Sequence, residues 1–129
     1  MANPNIVGVV SIYAGNAAWA LTTSITTTLL QVSANVIVKV NSIIATNTHA
    51  TNATALTLDV NGIGTTVTGV TGTSLATVAK IASTVNIPAD DILVVIDKPI
   101  YLMENDILRG GASVATCDLL VSYEVINDA

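Results

Sequence analysis

The sequence predicts an all-β fold: an antiparallel, jelly-roll-like β-sandwich of roughly eight strands. Three observations carry this. First, residues 85–109 set short β-branched runs (Ile92 to Ile96, Pro99 to Met103, Ile107 to Arg109) between polar turns. Those turns are Pro88-Ala89-Asp90-Asp91, Asp97-Lys98 and Glu104-Asn105-Asp106; the alternation spells strand, turn, strand. Second, apolar and polar residues alternate with period two at Val36 to Asn41, Leu56 to Val60 and Asp118 to Ile126, as in half-buried strands. Third, roughly one residue in seven is Thr, which suits a pleated, half-buried surface. The chain of 129 residues fits one domain, 1–129, divided into an N-terminal arm with strands (1–33) and a sandwich core (34–129).

Residues 1–33 carry no charged side chain. Ile6 to Tyr13 and Ile25 to Val32 read as strands, and Ala14-Gly15-Asn16-Ala17-Ala18 reads as the loop between them. This uncharged arm either closes the sheet of its own domain or lies on a neighbour. From Asn35 the alternation sets Val36, Val38 and Val40 against Ile37, Lys39 and Asn41. Thr46 to Ala53 is a polar hairpin tip. Leu56, Leu58 and Val60 then face inward, with Thr57 and Asp59 outward. Asn61 to Gly72 is a Gly/Thr loop with room for a short edge strand at Thr65 to Thr68, its glycines serving left-handed backbone angles. Leu75 to Ala82 also fits a helical turn or two, yet continuing through Ile81, Val85 and Ile87 the pattern favours a strand. Ile92 to Ile96 is apolar on both faces and so belongs in a sheet centre or an interface. In the last strand Leu119, Val121, Tyr123 and Val125 point inward, and Leu120, Ser122 and Glu124 outward. Val38, Leu58, Val94 and Val121 are thus expected in the core.

Only 10% of residues are charged, against about 25% in typical soluble domains. A monomer this poor in charge exposes much apolar and hydroxyl surface, which favours an assembled protein. The net charge is −5 with four cations, Lys39, Lys80, Lys98 and Arg109. Scattered cations cannot neutralise a run of phosphates, so neither nucleic acid nor an anionic membrane is an expected partner. No uninterrupted apolar run reaches membrane-spanning length. No cation precedes Lys39, so the apolar N-terminus lacks the basic region of a signal peptide. The expectation is a soluble, uncleaved chain made in the cytoplasm.

The residues that carry chemistry are few. Cys117 is the only cysteine, which excludes an internal disulfide; beside Asp118 it reads as a buried structural thiol. His49, the only histidine, sits among Thr and Asn at a loop tip. One His and one Cys cannot supply a zinc site without several carboxylates. Asp90, Asp91, Asp97, Glu104 and Asp106 could in principle form a calcium cage or a glycosidase pair, but their places between strands mark them as turn residues. Asp106, directly before a strand, is the most structural of them. Gly62-Ile63-Gly64 lacks the Lys and Ser/Thr that a phosphate loop requires, and Asn52-Ala53-Thr54 has no secretory context. No catalytic, cofactor or metal residue is therefore expected. Tyr13 and Trp19, in a chain without Phe, read as core or interface plugs. The residues expected at an interface are Tyr13, Trp19, Leu29, Leu30, Leu93 and Val95.

Several segments together resemble a family of small β-sandwich virion proteins from tailed phages, particularly marine cyanophages. They are the opening M-A-N-P-N-I-V, the S-I-Y-A-G that comes after it, V-N-I-P-A-D-D-I-L-V-V-I-D-K-P-I-Y-L-M-E-N-D-I-L, and the ending D-L-L-V-S-Y-E-V-I. The resemblance spans nearly the whole chain, is most specific over 85–109 and 118–126, and is weakest over 47–73. At the third turn the family usually has an acidic residue pattern of Glu, Gly, Asp; here Asn105 stands in place of Gly, and Asn also tolerates the left-handed region. The resemblance implies a virion structural component without enzymatic activity. The expected role is a head decoration (cement) protein on the outer surface of the capsid, bound to the major capsid protein and self-associating as a homotrimer. The alternatives are a tail, collar or fibre-base component, and a carbohydrate-binding sandwich with Trp19, Tyr13 and the His49 loop as its platform.

Overall fold

A computed structural model describes residues 11–62 and 78–127. Nine strands run in order: β1 (Ser11–Ala20), β2 (Thr28–Gln31), β3 (Val36–Asn47), β4 (Thr54–Asn61), β5 (Val78–Ile87), β6 (Ile92–Ile96), β7 (Ile100–Leu102), β8 (Ile107–Ala112) and β9 (Cys117–Asn127). All pairings among them are antiparallel, and five of them nest: β4 with β5, β3 with β6 and β7, β2 with β8, and β1 with β9; β3 with β9 and β4 with β8 join the wound ribbon laterally. Winding such a nested ribbon gives sheet A, ordered β1-β9-β3-β6 with β7 also on β3, and sheet B, ordered β2-β8-β4-β5. This is the strand order of a jelly roll.

The core fills the space between the sheets. Val40, Ile43, Leu119 and Val121 from sheet A meet Leu56, Leu58, Ile87 and Leu108 from sheet B, all almost fully buried. Each such side chain contributes roughly 1.5–3 kcal/mol by leaving water. β9 supplies its inward face as the alternation predicts: Leu119 and Val121 are buried, and Tyr123 and Val125 pack against the cluster. In β3 a register shift between Val40 and Ser42 moves the core face from Val38 and Val40 to Ile43 and Ala45. A bulge of this kind inserts one extra residue and swaps the parity of the rest of the strand.

Several expectations are corrected. Ala14 to Ala18 is no loop: these residues lie within β1, whose ten residues pair with β9 without a register shift. Gly15 makes room for a large neighbour, for a Cβ added there would lie 3.0 Å from the Tyr123 ring. The strand expected over Ile25 to Val32 is confined to Thr28–Gln31, and Ile25 is exposed in the preceding loop. β1 and β2 thus belong to the sandwich although both precede residue 34, and the described part of the arm closes its own sheets; of the strand expected over Ile6 to Tyr13, residues 6–10 lie outside the described residues. β6 is at the edge of sheet A rather than its centre. Val94, expected inward, is 52% exposed, while Leu93, Val95 and Ile96 pack against the core. A strand apolar on both faces gives no parity signal, so its pattern cannot single out the inward residues.

The segment leading to Ile87 is a strand, as its pattern favours, with β5 beginning at Val78; residues 75–77 and the edge strand considered at Thr65 to Thr68 lie outside the described residues. Thr84 has a positive φ of 48°, and the β4–β5 pairing shifts register twice near it. Ala82 and Ile87 are consequently buried while Val85 is exposed. Thr57 and Asp59 are on the outer face of β4, as expected, yet both are buried. β8 runs on past Arg109 through Gly110 and Gly111. At Gly111 a Cβ would lie 2.4 Å from the Ser24 carbonyl oxygen, so the loop over 22–27 can lie against the sheet only because this residue has no side chain.

Candidate functional site

The most distinctive surface among the described residues is the outer face of sheet A. Residues directly opposite in an antiparallel pair share a face. The registers therefore align Ala18, Leu120, Ile44 and Val94 in one apolar row across β1, β9, β3 and β6. Beside it run Ala20, Asp118, Thr46 and Ile92. Leu120, Val94 and Ile92 are 45%, 52% and 59% exposed, so these two rows present large apolar side chains side by side. On the other side of the row lie the hydroxyl and amide residues Asn16, Ser122 and Ser42, and beyond them Ala14, Glu124, Lys39 and Tyr101. The face is thus an apolar band with a sparsely charged border, the composition of an interface core and rim.

The outer face of sheet B carries a different arrangement. Asp59 of β4 is flanked by its register partners Arg109 on β8 and Lys80 on β5. Arg109 Nε donates to Asp59 Oδ1 at 2.7 Å and Nη2 to Oδ2 at 3.3 Å, and Lys80 Nζ donates to Oδ2 at 3.3 Å. The Asp59 side chain is 1% exposed. Burial pushes its pKa up, but the Arg109 and Lys80 hydrogen bonds and charges outweigh this and hold it below the usual carboxylate range. Both oxygens are engaged by cations, so this is a cross-strand clamp and not a free general base.

The acidic turns are structural. Asn105 adopts φ 66°, the left-handed conformation that Asn tolerates. Met103 N donates to Asp106 Oδ2 at 3.0 Å, and burial pushes the Asp106 carboxyl up. Asn35 N donates to Glu104 Oε2 at 2.9 Å, while Asn105 N donates to the Val32 carbonyl. The β7–β8 turn is thereby tied to the β2–β3 turn. Asp90, Asp91 and Asp97 are exposed, and Asp91 Oδ1 accepts from Ile92 N. Among the described residues no group of three or more His, Cys, Asp or Glu side chains is placed to hold a metal ion.

His49 lies in the loop after β3, where its Nδ1 accepts from Thr51 N at 3.1 Å and Asn52 N at 3.0 Å. A residue the sequence pattern gave no reason to single out organises this loop. Asn47 is fully buried; its Nδ2 donates to the Asn52 and Ile87 carbonyls, and its Oδ1 accepts from His49 N and Thr116 Oγ1. It carries no signal in sequence: the parity of Val38 and Val40 would turn it outward, and only the register shift in β3 brings it to the inner face. Cys117 is buried, and burial together with Asp118 pushes its thiol pKa up, the opposite of an activated thiolate.

Of the six residues expected at an interface, five pack partly buried against the core: Trp19, Leu29, Leu30, Leu93 and Val95. Tyr13 alone is largely exposed, at 61%. Tyr13 pairs with Val125 near the end of β9, whereas the His49 loop adjoins Thr116 and Cys117 at its start. At about 3.3 Å per residue these lie over 20 Å apart, so the fold does not bring Tyr13 and His49 into one sugar platform. A cavity of about 390 Å³ opens between β7 and β5, lined by Val60, Ile81, Ile100, Leu102 and Met103 with Lys80 and Asp106 at polar positions. Both of those charged groups are engaged by neighbours. No protein-family model, no curated protein and no solved structure matches this chain.

Proposed function

We propose that this chain is a non-enzymatic structural protein of a tailed-phage virion, a head decoration subunit that binds the major capsid protein on the outer surface of the shell. The observation that carries the reading is the apolar row Ala18, Leu120, Ile44 and Val94 across the outer face of sheet A, in a chain with 10% charged residues. The segments that resemble phage virion proteins support it, as does the jelly-roll strand order, a fold used in viral capsid domains and also in lectins. Covering a few hundred Å² of that face would contribute several kcal/mol at roughly 25 cal/mol per Å², before the cost of immobilisation. Repetition over a shell makes such modest contacts sufficient. No nucleic acid, membrane or cofactor enters this reading. Quantitative mass measurement of purified particles tests it. A decoration protein is present in numbers comparable to the coat protein, whereas a handful of copies per particle would instead assign a tail, collar or fibre-base position.

A further inference from the structure

Among the described residues the two sheets have four edges, and these are not equally guarded. β2 is four residues long and bulged against β8, and β5 carries Lys80, a positive φ at Thr84 and two register shifts. β6 is five residues long, faces a register shift in β3, and is bounded by Asp91 and by Asp97-Lys98-Pro99. Short length, bulges, charges and prolines are the devices that prevent edge-to-edge pairing. β1 has none of them. It is ten residues long, has no charge or proline, pairs without a shift, and among the described residues pairs with β9 alone.

The sequence of β1 is also symmetric in size about its centre. Reading outward from Asn16, Gly15 is matched by Ala17, Ala14 by Ala18, and Tyr13 by Trp19. Opposite residues in an antiparallel pair share a face, and a two-fold axis through Asn16 would place each of these pairs in register. Tyr13 and Trp19 are on one face, because their β9 partners Val125 and Leu119 both point to the core side. Tyr13 is 61% exposed there. Ala14 and Ala18, on the outer face, are small enough for two sheets to continue flat.

We propose that two copies of this chain pair antiparallel through β1 about a two-fold axis at Asn16, joining both A sheets into one and seating Tyr13 of each copy against Trp19 of the other. Such an isologous contact is closed by two subunits, so the self-association expected as a trimer is a dimer at this edge. The outer apolar faces of the two A sheets then lie side by side on one surface. The pairing does not depend on what that surface binds.

Sedimentation equilibrium of the full chain should give a species of twice 13.2 kDa at micromolar concentration; a monomer throughout, or a species of three times that mass, would overturn the proposal. Asn16 is exposed, so Asn16→Cys should fold and, under mild oxidation, form a covalent dimer about tenfold faster than Thr51→Cys in the distant loop. Equal rates would contradict the two-fold at Asn16. Register is tested at the exposed alanines. Ala14→Lys with Ala18→Glu sets opposite charges across the axis twice, and Ala14→Lys with Ala18→Lys sets like charges. The second pair of changes should weaken dimerisation roughly tenfold or more relative to the first, and identical dissociation constants would rule out this register.

Discussion

Asp59 shows how a single side chain can be essential to a sheet without any catalytic role. Its carboxylate is buried between Arg109 and Lys80, each on a neighbouring strand. Removing one partner of a buried pair leaves an uncompensated charge, which costs about 3–5 kcal/mol. Arg109→Met should therefore destabilise the protein by roughly 3 kcal/mol in urea unfolding at neutral pH, and Lys80→Met, at a more exposed position, by well under 1 kcal/mol. The sign with pH comes from the depressed pKa of Asp59. Its stabilisation is complete above the unfolded carboxylate value of about 3.9 and is lost as pH falls through the lower folded value. Asp106 acts in the opposite sense: its raised pKa makes its contribution fall as pH rises past the unfolded value. Unfolding measured from pH 2 to 7 should show a steeper acid loss in the wild type than in Asp59→Asn. Asn47→Ala should cost roughly 3 kcal/mol, because it strands the buried Ile87 carbonyl and the Thr116 hydroxyl. Neither Asp59 nor Asn47 is legible as buried, since alternation assigns a face to a residue and says nothing of what covers that face. Asn105 is legible, because its left-handed turn is a local property of three residues.

At the scale of elements, strands are readable wherever the two faces differ in chemistry. β9 alternates cleanly and its core face matches the pattern residue by residue. The centre of β1 reads as a loop because Gly15, Asn16 and the alanines resemble one locally, and only Tyr123 on the neighbouring strand explains why position 15 has no side chain. β6 is recognisable as a strand, but its edge position depends on nested pairing that no local pattern encodes. These differences yield a direct comparison. Val121→Ala, at a fully buried site, should cost about 2 kcal/mol, and Leu58→Ala about 3 kcal/mol or more. Val94→Ala, on the exposed face, should stay within about 0.5 kcal/mol. Trp19→Ala should destabilise the isolated protein, since Trp19 packs against the core. Deleting residues 2–20 should prevent folding rather than merely detach a docking arm, because it removes all of β1 from sheet A. Thermal unfolding monitored by circular dichroism measures each of these.

At the scale of the whole molecule, the described residues form a two-layer body in which the first strand pairs with the last and every buried polar side-chain atom has a partner. The chain has few charges, and among the described residues β1 pairs with β9 alone and an apolar band lies over sheet A. These features favour a role in which the molecule is covered by others, and the proposed decoration of a capsid shell would use the band as its docking face. The charge deficit is legible in the composition, whereas the band emerges only when β1, β9, β3 and β6 are set in register. Co-sedimentation with undecorated capsids, comparing the wild type with Leu120→Lys combined with Val94→Lys, tests this most directly. Both positions are exposed, so the variant should keep its circular dichroism spectrum and melting temperature. A docking band on sheet A means that the wild type should saturate the shell at a number comparable to the coat protein, and that the variant should bind at least about tenfold more weakly. A wild type that leaves capsids bare, or a folded variant that binds as well as the wild type, would contradict it.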